Sequence, residues 1–330
     1  MSETVILSAV RSPIGRFLGG FSNTSATDLG SKVAATALEG IDPSVVDEAL
    51  MGCVLQAGLG QNPARQIALG AGCPDHVTAM TINKVCGSGM QTVIMGAEAL
   101  ASGTIDYVVA GGMESMTNAP YLLKKHRSGA RLGHDTTYDH MFLDGLEDAY
   151  EEGRAMGTFA QDTANDYQMT REEMDDYSIE SLRRANAAIE SGAFDGEVVP
   201  VTFSARKGDV TVEHDEQPGK GRPDKIPQLR PAFAKDGPFA KQAKLAMQFG
   251  SFQHDYAAEV GLGAFDDVLP FSQVQILEES KTYVQKNICS GDLEITIIDL
   301  DATADAPGPD KKKANASPGK VALHVFAAEA

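Results

Sequence analysis

The chain has 330 residues, enough for two domains, and its 42% hydrophobic and 22% charged content is that of a globular protein able to bury a sizeable core. Lys and Arg total 28 against 46 Asp and Glu, a formal charge of −18 that repels polyphosphate and argues against nucleic acid as a partner. No apolar run approaches the ~20 residues of a membrane span, the start has no secretory pattern and the last residues carry no peroxisomal or ER address, so a cytoplasmic protein is expected.

Strand and helix signals alternate over the first 112 residues. Val5 to Val10 is a β-rich apolar run. Asp28 to Leu38 has apolar residues at helical spacing, with Ser25 or Thr27 available as a cap. Glu48 to Leu55 predicts a second strand, and Pro63 to Leu69 a short helix with proline in its first turn. His76 to Ile82 predicts a third strand, Gln91 to Leu100 a helix ending at Gly103, and Asp106 to Ala110 a fourth strand stopped by Gly111 and Gly112. This alternation predicts an α/β fold around a mostly parallel sheet covered on both faces.

From Glu114 to Gly237 the sequence turns polar and loop-rich. Its clearest helix starts at the capping box Thr170-Arg171-Glu172-Glu173 and runs to Gly192. Beyond Gly237, Ala240 to Phe249 reads as a helix, and Leu293 to Ile298 and Val321 to Phe326 read as strands. Domains are therefore expected at 1–117 (α/β), 118–237 (insertion) and 238–330 (fold unassigned).

The four cysteines, Cys53, Cys73, Cys86 and Cys289, match neither a zinc site nor a disulfide framework. Cys53 falls within a predicted strand and Cys73 in a loop before Pro74, so both read as inert. Cys86 differs. It lies in Asn83-Lys84-Val85-Cys86-Gly87-Ser88-Gly89-Met90, between a strand and a helix, at the sheet edge where open α/β folds bind ligands. A helix start lowers a thiol pKa and stabilises an oxyanion, which suits acyl transfer between sulfurs. Spacing alone leaves a small packed residue as an equal reading.

The segment 83–90 closely resembles the nucleophile signature of thiolases, the acetyl-CoA C-acetyltransferases and 3-ketoacyl-CoA thiolases. Ala9 to Phe17, Gly58 to Gln66, Ala110 to Met116, Arg206 to Asp209 and Leu229 to Gly237 resemble further family landmarks in the same order, so the resemblance covers residues 1–237. It implies a thiolase-like parallel-sheet domain with a helical loop-domain insertion, and Cys86 as acyl acceptor. It implies that Met156 and Phe233 line the acyl pocket and that Leu146 stands near the pantetheine tunnel. Lys124, Lys125, Arg127 and Arg131 fall where the family has a cationic loop suited to the phosphates of coenzyme A. The expected substrate is a coenzyme A thioester, with no tightly bound cofactor and no metal, and the expected assembly is a homo-oligomer or a pair with another thiolase-fold chain.

The resemblance stops at Gly237. The family's Asn-Glu-Ala-Phe motif, Gly-His-Pro histidine and second catalytic cysteine do not follow. No histidine in the chain precedes a proline, and Cys289-Ser290-Gly291 continues into Asp292-Leu293 instead of further glycines. Three readings stay open at this point: a thiolase-type acyltransferase, a catalytically incomplete thiolase-like module that binds an acyl-CoA or a partner chain, and a fused or frame-shifted product. If the second half is missing, the apolar side of 88–102 (Ile94, Ala97, Leu100) is expected to need cover.

Overall fold

The computed structural model describes residues 4–206, 208–233, 283–287, 291–295 and 320–329. In chain order the elements are β1 (Val5–Ile6), β2 (Ala9–Arg11), α1 (Ala26–Ala37), β3 (Glu48–Gly52), α2 (Pro63–Gly70), β4 (Thr78–Ile82), α3 (Ser88–Ser102) and β5 (Tyr107–Ser115). There follow β6 (Tyr121–Leu122), β7 (Tyr138–Asp139), α4 (Met156–Asp166), α5 (Arg171–Glu190), β8 (Val201–Ala205) and β9 (Gly208–Val212). The last are β10 (Tyr283–Asn287), β11 (Gly291–Ile295) and β12 (Lys320–Glu329).

The sheet forms where the sequence is most continuously apolar. It has six strands, with β4, β3, β5, β12 and β1 side by side and β2 also on β12. Among the described residues every pairing within it is parallel. β5 is buried along almost its whole length, as a strand covered on both faces must be. One face packs Ala49, Met51, Val109 and Met113 against Leu29, Val33, Ala64 and Ile67 of α1 and α2. The alternate residues Leu50, Val108 and Ala110 pack against Leu100 and Val93 of α3. The helices thus lie on opposite faces, as right-handed crossovers to either side of β3 require.

Several boundaries differ from the sequence expectation. The first apolar run is two strands, not one, with Leu7 and Ser8 between them. Gly111 and Gly112 do not stop β5, which continues to Ser115. A Cβ at Gly112 would stand 3.4 Å from the Gly52 carbonyl oxygen and 3.5 Å from Gly89 Cα, so the missing side chains let α3 approach the sheet. α3 begins at Ser88, three residues earlier than expected, and ends at Gly103, which takes the left-handed conformation. Leu100 is buried against the sheet, so it does not belong to the outward side of α3, where Ile94 and Ala97 are half-buried.

The insertion carries α4, α5 and two antiparallel hairpins, β6–β7 and β8–β9, that periodicity did not reveal. The capping box is formed: the Glu173 N–H donates to the Thr170 hydroxyl at 3.2 Å, and the Thr170 N–H to the Glu173 carboxylate at 2.7 Å. The insertion is clamped to the start of the chain. Arg11, at the end of β2, donates to Glu197 at 2.7 Å and in a fork to Asp215 at 2.8 and 3.0 Å. Its guanidinium stacks 5.1 Å from the centre of the Phe194 ring. Glu216 accepts the N–H groups of Arg16 and Gly20 at 3.0 and 2.9 Å.

Of the expected tail elements, β11 and β12 fall on the two predicted strands, with β10 pairing antiparallel to β11. The expected helix at 240–249 lies outside the described residues. β12 belongs to the main sheet, parallel to β5 on one side and to β1 and β2 on the other.

Candidate active site

The connection after β3 leads to α2 on one face and the connection after β4 leads to α3 on the other. Neighbouring strands whose connections diverge in this way open a crevice at their carboxyl ends. Cys86 stands on the β4 side of that crevice and the segment 53–59 on the β3 side. The two are tied together by the Cys53 N–H, which donates to the Ile82 carbonyl at 2.9 Å.

The turn carrying Cys86 is laced by short-range hydrogen bonds. The Val85 N–H donates to the Asn83 side chain at 2.9 Å, and the Lys84 N–H to the Ser88 hydroxyl at 2.8 Å. The Ser88 hydroxyl in turn donates to the Val85 carbonyl at 2.5 Å. Val85 is held at φ +49°, a left-handed conformation costly for a β-branched residue. Such strain persists only where the surroundings over-determine it, and it concentrates at functional sites. No signal in the sequence marked Val85.

α3 starts immediately after this turn, with Gly87 at its cap and no side chain capping it. Its first amides therefore point toward the turn, and the helix end adds partial positive charge there. Gly52 sets how close the helix comes: a Cβ on it would stand 2.6 Å from the Gly89 nitrogen. Cys86 is exposed, whereas Cys53 and Cys73 are buried. Burial, reinforced by the neighbouring Glu114, pushes the Cys53 thiol far above its ordinary range. Burial alone raises Cys73. Of these three, Cys86 alone is exposed to solvent.

A second polar group occupies the same edge. Glu114, near the end of β5, is half-buried, and its carboxylate accepts the N–H groups of Val54 and Leu55 at 2.9 and 3.0 Å. The Cys53 thiol lies 3.5 Å away as a third donor. Burial raises the Glu114 carboxyl above its usual range, and these donors with the nearby His140 offset only part of that. His140, itself buried, accepts the Ala57 N–H on Nε2 at 3.2 Å and sets Nδ1 2.6 Å from Asp144. The strand-end motif at 110–116 was visible in the sequence; the partnership with His140, 26 positions on, was not.

The other expected site residues fall into two groups. Leu146 is buried in the segment after His140, and Met156 opens α4. Phe233 packs on Gly157, next to Met156, so closely that a Cβ there would fall inside its ring. Met156 and Phe233 are thus neighbours. Lys124, Lys125, Arg127 and Arg131 lie on an exposed loop, with the Lys124 ammonium 4.1 Å above the Tyr138 ring. His254 and Cys289 lie outside the described residues. His324 lies within β12, in register with Ala9 and Ala110.

This chain belongs to the thiolase family. Residues 4–243 match the family described as Thiolase, N-terminal domain. The chain is 48% identical over 241 residues to "Acetyl-CoA acetyltransferase" of Escherichia coli (strain K12), covering 72% of this chain and 61% of that protein. It is 46% identical over 239 residues to "Acetyl-CoA acetyltransferase 2" of Arabidopsis thaliana, with 71% and 59% covered. With "Probable acetyl-CoA acetyltransferase" of Dictyostelium discoideum it shares 41% identity over 283 residues, 83% of this chain and 68% of that one. The chain thus spans about 60% of the length of the first two relatives. Among the described residues no helix is long and apolar enough to cross a membrane.

Proposed function

We propose that the chain is a thiolase-type acyltransferase whose Cys86 takes the acyl group of a coenzyme A thioester. The observation that carries this reading is the exposed Cys86 at the start of α3, in a turn strained at Val85 and pressed onto the sheet through Gly52. In the step proposed, the Cys86 sulfur attacks the thioester carbonyl, and helix-start amides steady the oxyanion. The carbonyl–sulfur bond to coenzyme A then breaks, an acyl–Sγ bond remains, and the departing thiolate takes the proton that Cys86 gave up. The exchange is near balance because one thioester replaces another.

In this reading Met156 and Phe233 line the acyl pocket and Leu146 borders the pantetheine. Lys124, Lys125, Arg127 and Arg131 give the phosphates a local attractor on a chain of charge −18. Coenzyme A is a substrate here, and no tightly bound cofactor or metal is invoked. Residues 1–117, with β12 of the segment 238–330 completing their sheet, serve as catalytic α/β domain and 118–237 as insertion. Function in the cytoplasm, as a homo-oligomer or beside a thiolase-fold partner, completes the proposal.

Acylation of Cys86 and complete thiolysis are read separately. Incubation with acetyl-CoA, followed by release of coenzyme A and the mass of the Cys86 peptide, tests acylation; acetoacetyl-CoA thiolysis tests turnover. One acetyl group per chain, lost in Cys86→Ala, is the expected result. Absence of acylation in the folded wild type would leave only the reading of an acyl-CoA-binding or partner-binding module.

A further inference from the structure

We propose that Ser88 is a positioning residue for the nucleophile: its hydroxyl holds Val85 in the left-handed conformation that sets Cys86 at the start of α3. The proposal deepens the acyltransferase reading and rests on it for the use made of Cys86.

At φ +49° the Val85 Cβ crowds the following carbonyl, and its branching leaves the side chain little room to turn away. Something must outweigh that cost, and the hydrogen bonds around residues 84 and 85 show what does. The Lys84 N–H donates to the Ser88 hydroxyl at 2.8 Å, and that hydroxyl donates to the Val85 carbonyl at 2.5 Å. The Ser88 N–H reaches the same carbonyl at 3.1 Å. Two further bonds, Val85 N–H to the Asn83 side chain at 2.9 Å and Gly87 N–H to the Lys84 carbonyl at 3.1 Å, complete the turn. Three of the five therefore come from Ser88. The carbonyl it grips twice belongs to the peptide bond that joins Val85 to Cys86, so Ser88 sets the plane from which Cys86 departs.

Ser88 is itself held. It is 5% exposed, and a Cβ on Gly52 would stand 2.7 Å from the Ser88 Cβ and 2.6 Å from its carbonyl carbon. Gly52 ends β3, so the first residue of α3 rests against the sheet. No side chain caps α3; the Ser88 hydroxyl faces back to the turn instead of serving the helix's own donors. A buried residue thus carries the position of β3 to an exposed cysteine two places away. Small displacements of a nucleophile from its oxyanion donors have large effects on rate.

Iodoacetamide is the probe, because alkylation reads the Cys86 thiolate without turnover. The readouts are its rate constant at neutral pH and the midpoint of its pH profile, both from mapping the Cys86 peptide. Ser88→Ala should slow alkylation about tenfold, the scale of one to two hydrogen bonds. It should also move the midpoint to higher pH, since a thiolate displaced from a helix start loses stabilisation. A merely structural role would lower the denaturation midpoint and leave the pH profile in place. The decisive comparison is the same substitution in a Val85→Gly background. Glycine takes the left-handed conformation without steric cost, so there Ser88→Ala should slow alkylation less than about threefold. Wild-type rate and midpoint in Ser88→Ala, or equal losses in the two backgrounds, overturn the proposal. If Ser88→Ala fails to fold, Asn83→Ala, which removes the acceptor of the Val85 N–H, carries the same cycle. Acetylation of the wild type by acetyl-CoA is scored separately: its failure sinks the acyltransferase reading, while the alkylation cycle still decides the role of Ser88.

Discussion

Replacing Arg11 by alanine is the most informative single perturbation of the fold. Its side chain is 14% exposed and faces Glu197 and Asp215, each 10% exposed. Burial opposes the charged guanidinium, but the bonds to Asp215 and Glu197 outweigh it and raise Arg11 above its ordinary value. Alanine would remove three charge-assisted hydrogen bonds and the stacking on Phe194, and would leave two nearly buried carboxylates facing one another. Removal of one partner from a buried ion pair costs about 3–5 kcal/mol, a large part of a typical total of roughly 5–15 kcal/mol. The expected loss is about 4 kcal/mol, read as a lower urea midpoint at unchanged slope. Arg11→Lys should lose about half as much, because an ammonium keeps the charge but cannot reproduce the fork to Asp215. A loss under about 1 kcal/mol in Arg11→Ala would refute the idea that this clamp carries the attachment of the insertion to the chain start.

Three further outcomes are expected. Gly52→Ala places a methyl 2.6 Å from the Gly89 nitrogen, so it should cost about 1–3 kcal/mol and slow iodoacetamide labelling of Cys86; unchanged labelling would separate helix seating from reactivity. For Glu216, burial works against the charge, but the amides of Gly20 and Arg16 and the Lys220 ammonium prevail and hold the carboxyl below its usual range. Its contribution is thus complete above the unfolded carboxyl value and lost as pH falls through the folded one; titration of wild type against Glu216→Gln should show the full difference at neutral and alkaline pH and its loss on the acid side, and a difference that grows as pH falls would reverse the sign argued here. Thr170→Ala breaks the capping box of α5 and should lower stability by about 1 kcal/mol, visible in the thermal midpoint.

Much of the α/β region was legible because its signals are local. Ser25 and Thr170 cap the helices they precede, Pro63 opens α2, and apolar runs became strands. The expected stop at Gly111 failed because those glycines answer a partner, the backbone of α3 and β3, that is distant in sequence. The same reason hid Glu114 with His140, and Arg11 with Glu197 and Asp215, which are long-range polar pairs without periodicity. The strand–turn–helix setting of Cys86 was legible because it is contiguous. The left-handed Val85 within that turn was not, since strain comes from what surrounds a residue and not from its identity.

The last strand has a consequence for the order in which the molecule can be completed. β12 lies between β5 and the pair β1 and β2, and among the described residues those two opening strands have no other strand as a neighbour in the main sheet. Residues made first are therefore joined to the sheet through residues made more than 300 positions later. Closing so large a loop is slow, and until it closes one side of β5 stays an open edge that another chain could pair with. During synthesis the opening strands would be tethered by the clamp of Arg11 on Glu197 and Asp215, which forms from residues available far earlier. The ion pairs at the chain start then act as a holding station, keeping the first strands near their slot until the strand that fills it arrives.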